Sequence, residues 1–414
     1  MTRRGNCDRY LCRMIYRKTL LALLLAFAVA CAPAPRSTIG TSSSVTAQGA
    51  AATAAGPSSA PLGGSYVRAA QGPKNIILMI GDGMGLTQIT AGLYSNDNKL
   101  NLERFPVVGL HKSYSGDALI TDSAAGATAF SAGVKSYNGA IGVDMDTMPV
   151  ITILEMAESA GMPTGLVATA SIVHATPASF YAHVKHRKMY EDIAADLMKT
   201  DIDLFIGGGS KYFERREQDS RNLSEELRSR GNDVRSYLDT DIKSIQVDRA
   251  KRIGYYTAES EPVPFSDGRD YLVAASKLAV EQLHARDTLD RGFFLMIEGS
   301  QIDWGGHSNN SDYIISEMLE FDRAIGEVLN FAQRNGETLV IVTADHETGG
   351  YAINKGSSMN DIKGAFTTDY HTADLIPVFA YGPGAEQFSG IYENTAIFDK
   401  MKLLYGFTLT TQRP

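Results

Sequence analysis

Three continuous apolar runs, each closing on a polar or acidic group, constrain the fold of this 414-residue chain more than anything else in it. Asn75-Ile-Ile-Leu-Met-Ile80 leads into Gly81-Asp-Gly-Met-Gly85, Gly292-Phe-Phe-Leu-Met-Ile297 into Glu298, and Thr338-Leu-Val-Ile-Val-Thr343 into Ala344-Asp-His-Glu347. A run without polar alternation is the pattern of a strand buried on both faces, which parallel sheets have because crossover helices cover both sides. Thr164-Gly-Leu-Val-Ala-Thr-Ala170, Leu204-Phe-Ile206 and Ile376-Pro-Val-Phe-Ala-Tyr381 add further strands. Helical patterns are read over residues 150–160, closed by Gly161, then over 181–199, about 271–285, and 313–334, stopped at Gly336. Strands alternating with helices predict an α/β fold, a central mostly parallel sheet flanked by helices on both faces and joined by right-handed crossovers.

Ligands of such sheets bind outside the carboxyl ends of the strands. Asp82, Glu298, Asp345 and His346 all fall at or just past such ends, and acidic groups meeting on one rim repel unless cations lie between them. Asp303 and His307 are four apart, which on a helix brings a carboxylate and an imidazole to one face, and Asp345-His346 offers a second such pair. Oxygen and nitrogen donors without cysteine suit zinc in a catalytic site or another divalent ion. Taken singly, either pair reads as structural, since Asp-x-x-x-His is a common spacing; the joint pattern changes that.

Leu119-Ile-Thr-Asp-Ser-Ala-Ala-Gly-Ala-Thr-Ala-Phe-Ser-Ala-Gly133 places Ser123 at the head of a helix of small residues, against which another element can pack closely. Ser123 or Asp122 can serve there simply as a cap. The alternative makes Ser123 a nucleophile attacking an anionic group held at the helix N-terminus. No Gly-x-Ser-x-Gly elbow surrounds it, which directs attention to metal ligands rather than to a histidine base.

The first 30 residues read as an export signal: Arg13, Arg17 and Lys18 precede an apolar stretch of 11 residues from Leu20 to Ala30, and Ala28-Val-Ala-Cys31 forms a small-residue cleavage site. Eleven residues are too few to span a bilayer. Cys31 resembles the lipidated cysteine of a bacterial lipobox, with Ala28 standing where leucine is more usual, and Met14 is an alternative start to Met1. Residues 31–65 are Ala, Ser, Thr, Pro and Gly and read as a flexible tether, so the catalytic domain is expected over 66–414, with a charged, weakly periodic peripheral insertion at about 211–265 that suggests a lid or interface. Cys7, Cys12 and Cys31 are the only cysteines, so the folded domain has no disulfide. Beyond residue 30 there remain 33 basic and 46 acidic side chains and no basic run, which argues against nucleic acid as a partner.

Asp82 in its Gly-Asp-Gly-Met-Gly, Thr121-Asp-Ser-Ala-Ala125, His174-Ala-Thr-Pro-Ala178, Glu298-Gly-Ser-Gln-Ile-Asp303, Thr343-Ala-Asp-His-Glu347 and Tyr370-His371 occur in the order found in alkaline phosphatases, which the chain resembles from about Asn75 to its C-terminus. The resemblance implies the three-layer sandwich of that family and hydrolysis of small phosphate monoesters through a phosphoserine at Ser123, with two Zn2+ and one Mg2+ per chain. By position it gives Asp82, Asp345 and His346 to the zinc that activates the serine. Asp303, His307 and His371 fall to a second zinc that stabilises the leaving oxygen, and Thr176 and Glu298 join Asp82 at a magnesium site. Arg187, in His183-Val-Lys-His-Arg187, matches the arginine that clamps the phosphate bidentately, where lysine would be a point charge. Asp122 is readable as a cap or as the partner that orients Arg187.

Two positions depart from the best-known bacterial member. His174 replaces an aspartate and Trp304 a lysine, which bears on the third site's metal. Trp304 is readable as a wall of the substrate pocket or as packing between helix and sheet. His111, His183, His186 and His284 have no ligand context and are read as surface or core. A sister phosphodiesterase generally uses threonine and lacks the third-site ligands, a sulfatase needs a formylglycine motif that is absent, and a phosphate- or metal-binding surface protein would show no turnover. Export and a lipid anchor at Cys31 would place the enzyme in the periplasm or at the cell surface. Family members are commonly homodimers, which leaves dimerisation open.

Overall fold

The computed structural model describes residues 65–68 and 72–409; the export signal, Met14, Cys31 and the tether up to residue 64 lie outside the described residues. Ten strands form one sheet. In chain order they are β1 (Asn75–Gly81), β2 (Val107–Lys112), β3 (Thr164–Ser171), β4 (Leu204–Gly208), β5 (Asp233–Ser236), β6 (Ile253–Tyr256), β7 (Phe294–Gly299), β8 (Thr338–Thr343), β9 (Leu375–Tyr381) and β10 (Gly390–Glu393). Their order across the sheet is β10-β2-β9-β8-β1-β7-β3-β4-β6-β5, and β9 alone runs against its neighbours.

The apolar runs occupy the middle of this order because a strand there needs apolar side chains on both faces, and β1, β7 and β8 are buried throughout. Alternate residues then face opposite layers. Ile76, Leu78 and Ile80 pack with Phe130 of helix Ser123–Ala132, Leu154 of Ile153–Ser159 and Met401 of Ala396–Tyr405. Ile77 and Met79 pack with Leu278 of helix Leu272–Arg286 and with Phe321 and Val328 of Ser311–Asn335. Helices on both faces complete the three layers, and each large side chain buried between them contributes about 1.5–3 kcal/mol. The long helix stops at Gly336, whose φ of 74° suits glycine at that cap.

Two expectations change. The helix read over 181–199 is confined to Tyr190–Leu197. Residues before it pair with the 137–142 turn instead: Ile141 bridges Val184, and the Arg187 N–H donates to the Gly139 carbonyl at 2.8 Å. Gly139 and Gly142, at φ 91° and 58°, give that turn the left-handed backbone it needs to meet them. The segment 211–265, expected to be a peripheral lid or interface, is built into the periphery of the sheet. It supplies β5 and β6, the edge of the sheet, with Ile253, Tyr255 and Tyr256 buried. Strands β2 and β10 and the helix Ala396–Tyr405 carry no clear pattern in the sequence and emerge only in the fold.

Candidate active site

Ser123 is the first residue of its helix, and Asp122 caps it, accepting a hydrogen bond from the Ala125 N–H at 3.0 Å. All ten residues of the helix are buried, and their small size lets the loop after β8 come close. A Cβ on Gly126 would stand 3.0 Å from the Asp345 Cβ. That approach brings the Ser123 Oγ to 3.3 Å from His346 Nε2.

Asp82 follows β1, Glu298 lies near the end of β7, and Asp345 and His346 follow β8, so register alone gathers them on one rim. His346 Nε2 lies 3.5 Å from Asp82 Oδ1 and 3.2 Å from Asp345 Oδ2. Asp303 and His307 share a face of helix Gln301–His307, with His307 Nε2 3.4 Å from Asp303 Oδ2. His371 arrives on a short antiparallel pairing in which Glu347 faces Thr372 and Thr348 faces His371. It sets His371 Nε2 3.1 Å from His307 Nε2. The third group joins Asp82, His174 and Glu298, with the Thr176 hydroxyl buried on the short helix Ala175–Ala178 that His174 precedes.

The polar atoms of this rim lack protein partners in a way ordinary cores avoid. Both oxygens of Asp82 and of Glu298, Oδ2 of Asp345 and the Thr176 hydroxyl are buried without a hydrogen bond. Burial, and then the charges of Asp345, Asp303 and Glu298, push Asp82 well above the usual carboxylate range. Burial pushes Glu298 up to about 8 and raises Asp345. The imidazoles are oriented to ligate: His307 Nδ1 donates to the Asp369 carbonyl at 2.7 Å and His371 Nδ1 to that of Thr121 at 2.8 Å. Each Nε2 lone pair is thereby aimed at the other and at Asp303, an arrangement that a divalent cation would satisfy. Three groups, Asp82 with Asp345 and His346, Asp303 with His346 and His371, and Asp82 with His174 and Glu298, bring one donor atom per residue within 4.8 Å of one another. The donor chemistry fits divalent ions.

Arg187 comes from the loop that replaces the expected helix. Its Nη1 donates to Asp122 Oδ2 at 3.0 Å and its Nη2 lies 3.3 Å from His174 Nε2, so the capping and orienting roles of Asp122 coexist on its two oxygens. Burial, aided by Arg187, lowers His174 to about 3, which keeps its ring neutral. Trp304 is half-buried and packs edge-on to His174, with ring centroids 6.1 Å apart. His111 is a core residue whose Nε2 donates to the Ala344 carbonyl at 2.8 Å, steadying the peptide before Asp345, and His183 bonds Glu155 and the Gly142 carbonyl.

Sequence reasoning passed over two neighbours. Glu347 is buried with both oxygens satisfied, by Gln88, Thr372 and the N–H groups of Gly350 and Tyr351, which makes it a brace rather than a donor. Thr348 sits between Asp303 and His346. Its place two residues beyond His346 was the only available hint.

Fold and site define a class: α/β proteins whose sheet rim gathers a hydroxyl at the first position of a helix, a guanidinium and buried oxygen and nitrogen donors suited to cations. The family model described as alkaline phosphatase matches residues 73–365, and the chain belongs to the alkaline phosphatase family, phosphoric monoester hydrolases. Alkaline phosphatase 3 of Bacillus subtilis is 34% identical, over 78% of this chain and 87% of its own. The human tissue-nonspecific isozyme is 30% identical, over 79% and 73% respectively. The solved alkaline phosphatase of the Antarctic bacterium TAB5 is 46% identical, with a TM-score of 0.76 over 82% of this chain and 99% of that one.

Proposed function

We propose that the protein hydrolyses phosphate monoesters in two displacements through Ser123. The observation that carries this reading is the hydroxyl of the first residue of a buried helix, Ser123, set beside buried carboxylates that have no protein partner. In the first displacement the Ser123 Oγ bonds to phosphorus, the ester P–O bond breaks, the alcohol leaves with a proton, and a phosphoserine remains. In the second, water attacks the phosphorus, the serine oxygen is released, and inorganic phosphate departs. Arg187, held by Asp122, pairs two phosphate oxygens, and the helix N-terminus faces the anion with open N–H groups.

Asp82, Asp345 and His346 would hold one zinc, Asp303, His307 and His371 a second, and Asp82, Thr176 and Glu298 a magnesium beside His174. Bound there, divalent ions lower the hydroxyl's pKa and stabilise charge on the attacking and departing oxygens. Two solved variants of the TAB5 enzyme hold magnesium in an M3 site, which supports a third site in this fold. Trp304 forms a wall of the pocket beside His174. The leader carries the enzyme out of the cytoplasm, with Cys31 as its lipid anchor, and two copies pair as a homodimer.

Among the described residues no helix is long and apolar enough to cross a membrane. The deciding experiment compares a chromogenic phosphate monoester with its diester and sulfate analogues on purified protein with zinc and magnesium, before and after chelation. Monoester turnover abolished by chelation, restored by zinc and lost in Ser123→Ala is expected. Dominant diester or sulfate turnover, or full activity in Ser123→Ala, would overturn the reading.

A further inference from the structure

We propose that Thr348 is a positioning residue whose single hydroxyl proton sets the tautomer of His346 and ties the two imidazole-bearing donor groups into one unit. The inference rests on the reading that these groups hold cations. Thr348 Oγ1 lies 2.5 Å from Asp303 Oδ1 and 3.2 Å from His346 Nδ1. A hydroxyl has one proton and two lone pairs. The carboxylate oxygen accepts that proton, so toward His346 the hydroxyl has only a lone pair to offer. Nδ1 must then carry the ring proton, and the Nε2 lone pair is left facing Asp82, Asp345 and the Ser123 Oγ.

His307 and His371 are set differently, because their Nδ1 protons go to backbone carbonyls that no substitution removes. His346 is therefore the one imidazole of the three whose tautomer depends on a side chain. Thr348 cannot turn away. Its N–H reaches the Gly83 carbonyl at 3.3 Å, its own carbonyl accepts from Gln88 at 2.9 Å, and its methyl sits where a Cβ on Gly306 would be only 2.7 Å distant. On the other side a Cβ on Gly83 would stand 2.8 Å from Oγ1. Glycine at both positions leaves room for a branched side chain and fixes its rotamer.

The test is the rate at which zinc-loaded protein passes zinc to a chromogenic chelator, with the amount bound measured by elemental analysis. Thr348→Val keeps the shape and removes the hydroxyl; zinc release about 10- to 100-fold faster is expected, the usual scale for groups that orient ligands. Thr348→Ser restores the hydroxyl and is expected to release zinc at nearly the original rate. Release unchanged in Thr348→Val, or as fast in Thr348→Ser, overturns the inference while leaving the function reading intact. Failure of the unmodified protein to bind zinc overturns both. A readout free of variants is 15N spectroscopy of histidine-labelled, metal-free protein, where His346 is expected with its proton on Nδ1, and a proton on Nε2 overturns the assignment.

Discussion

Replacing Asp122 separates two tasks that one carboxylate performs. Oδ1 accepts from the Ala125 N–H and Oδ2 from Arg187 Nη1, each at 3.0 Å. Asparagine keeps an oxygen for the cap but turns an NH2 toward the guanidinium, whereas alanine removes both contacts. The lost ion pair is common to the two variants and cancels in their comparison, leaving the cap, worth about 1 kcal/mol, as the difference in unfolding free energy. Hydrogen bonds to charged groups contribute about 1.5–3 kcal/mol. With Arg187 and Asp122 side chains 22% and 11% exposed, water replaces part of the pair, so the lower end applies. About 1.4 kcal/mol is a factor of ten in affinity. Inorganic phosphate should therefore inhibit monoester hydrolysis about tenfold more weakly in Asp122→Asn and Asp122→Ala alike, while urea unfolding shows Asp122→Ala less stable than Asp122→Asn. Unchanged phosphate inhibition would refute the orienting role, and equal stability of the two variants would refute the cap.

Other expectations follow from the same contacts. Burial pushes Glu158 up to about 8, so the folded chain keeps a proton that the unfolded chain has already lost above about 4.3; this stabilisation is complete below that value and is lost as pH rises through 8. Glu158→Gln should therefore gain stability over the parent at pH 9 compared with pH 5 in denaturant titrations, and a pH-independent difference would count against the buried proton. Gly306→Ala should destabilise by about 1–2 kcal/mol despite alanine's helix preference, because the new Cβ meets Thr348 at 2.7 Å; a raised melting temperature would contradict the packing. Excess zinc should raise the melting temperature of chelator-treated protein, by about 2.7 kcal/mol of stabilisation at a hundredfold excess over Kd, and superimposable calorimetric traces would refute cation binding to the folded state.

The legible part of this chain was the part whose signal is local. The runs at residues 75–80, 292–297 and 338–343 lie at the sheet's centre, and the groups that follow them reach the rim by register alone. Strand β2 shows alternate exposure, β5 and β6 are four residues each within a charged stretch, and such short edges leave no run to read. Arg187 sat inside an apparent helix because periodicity cannot register a backbone pairing with Gly139 across some 48 residues. Thr348 and Glu347 were silent for the same reason: a hydroxyl between Asp303 and His346 has meaning only once helix Gln301–His307 and the loop after β8 are side by side.

How the fold treats its other buried carboxylates explains why the rim is special. Glu317 and Glu320 are paired with the buried Arg269, and Asp203 with Arg286. Arginine is thus the compensation that these three acidic groups receive inside the protein. Asp82, Glu298, Asp303 and Asp345 have no lysine or arginine partner among the described residues, and Arg187, the nearest guanidinium, is engaged with Asp122 and His174. An uncompensated charge in such a place costs several kcal/mol, which is why burial pushes Asp82, Glu298 and Asp345, on three adjoining strand ends, toward their neutral forms. A chain with arginine available elsewhere, and none spent here, keeps the donor atoms of its rim free of protein cations, which is the pattern expected where ions are to supply the positive charge.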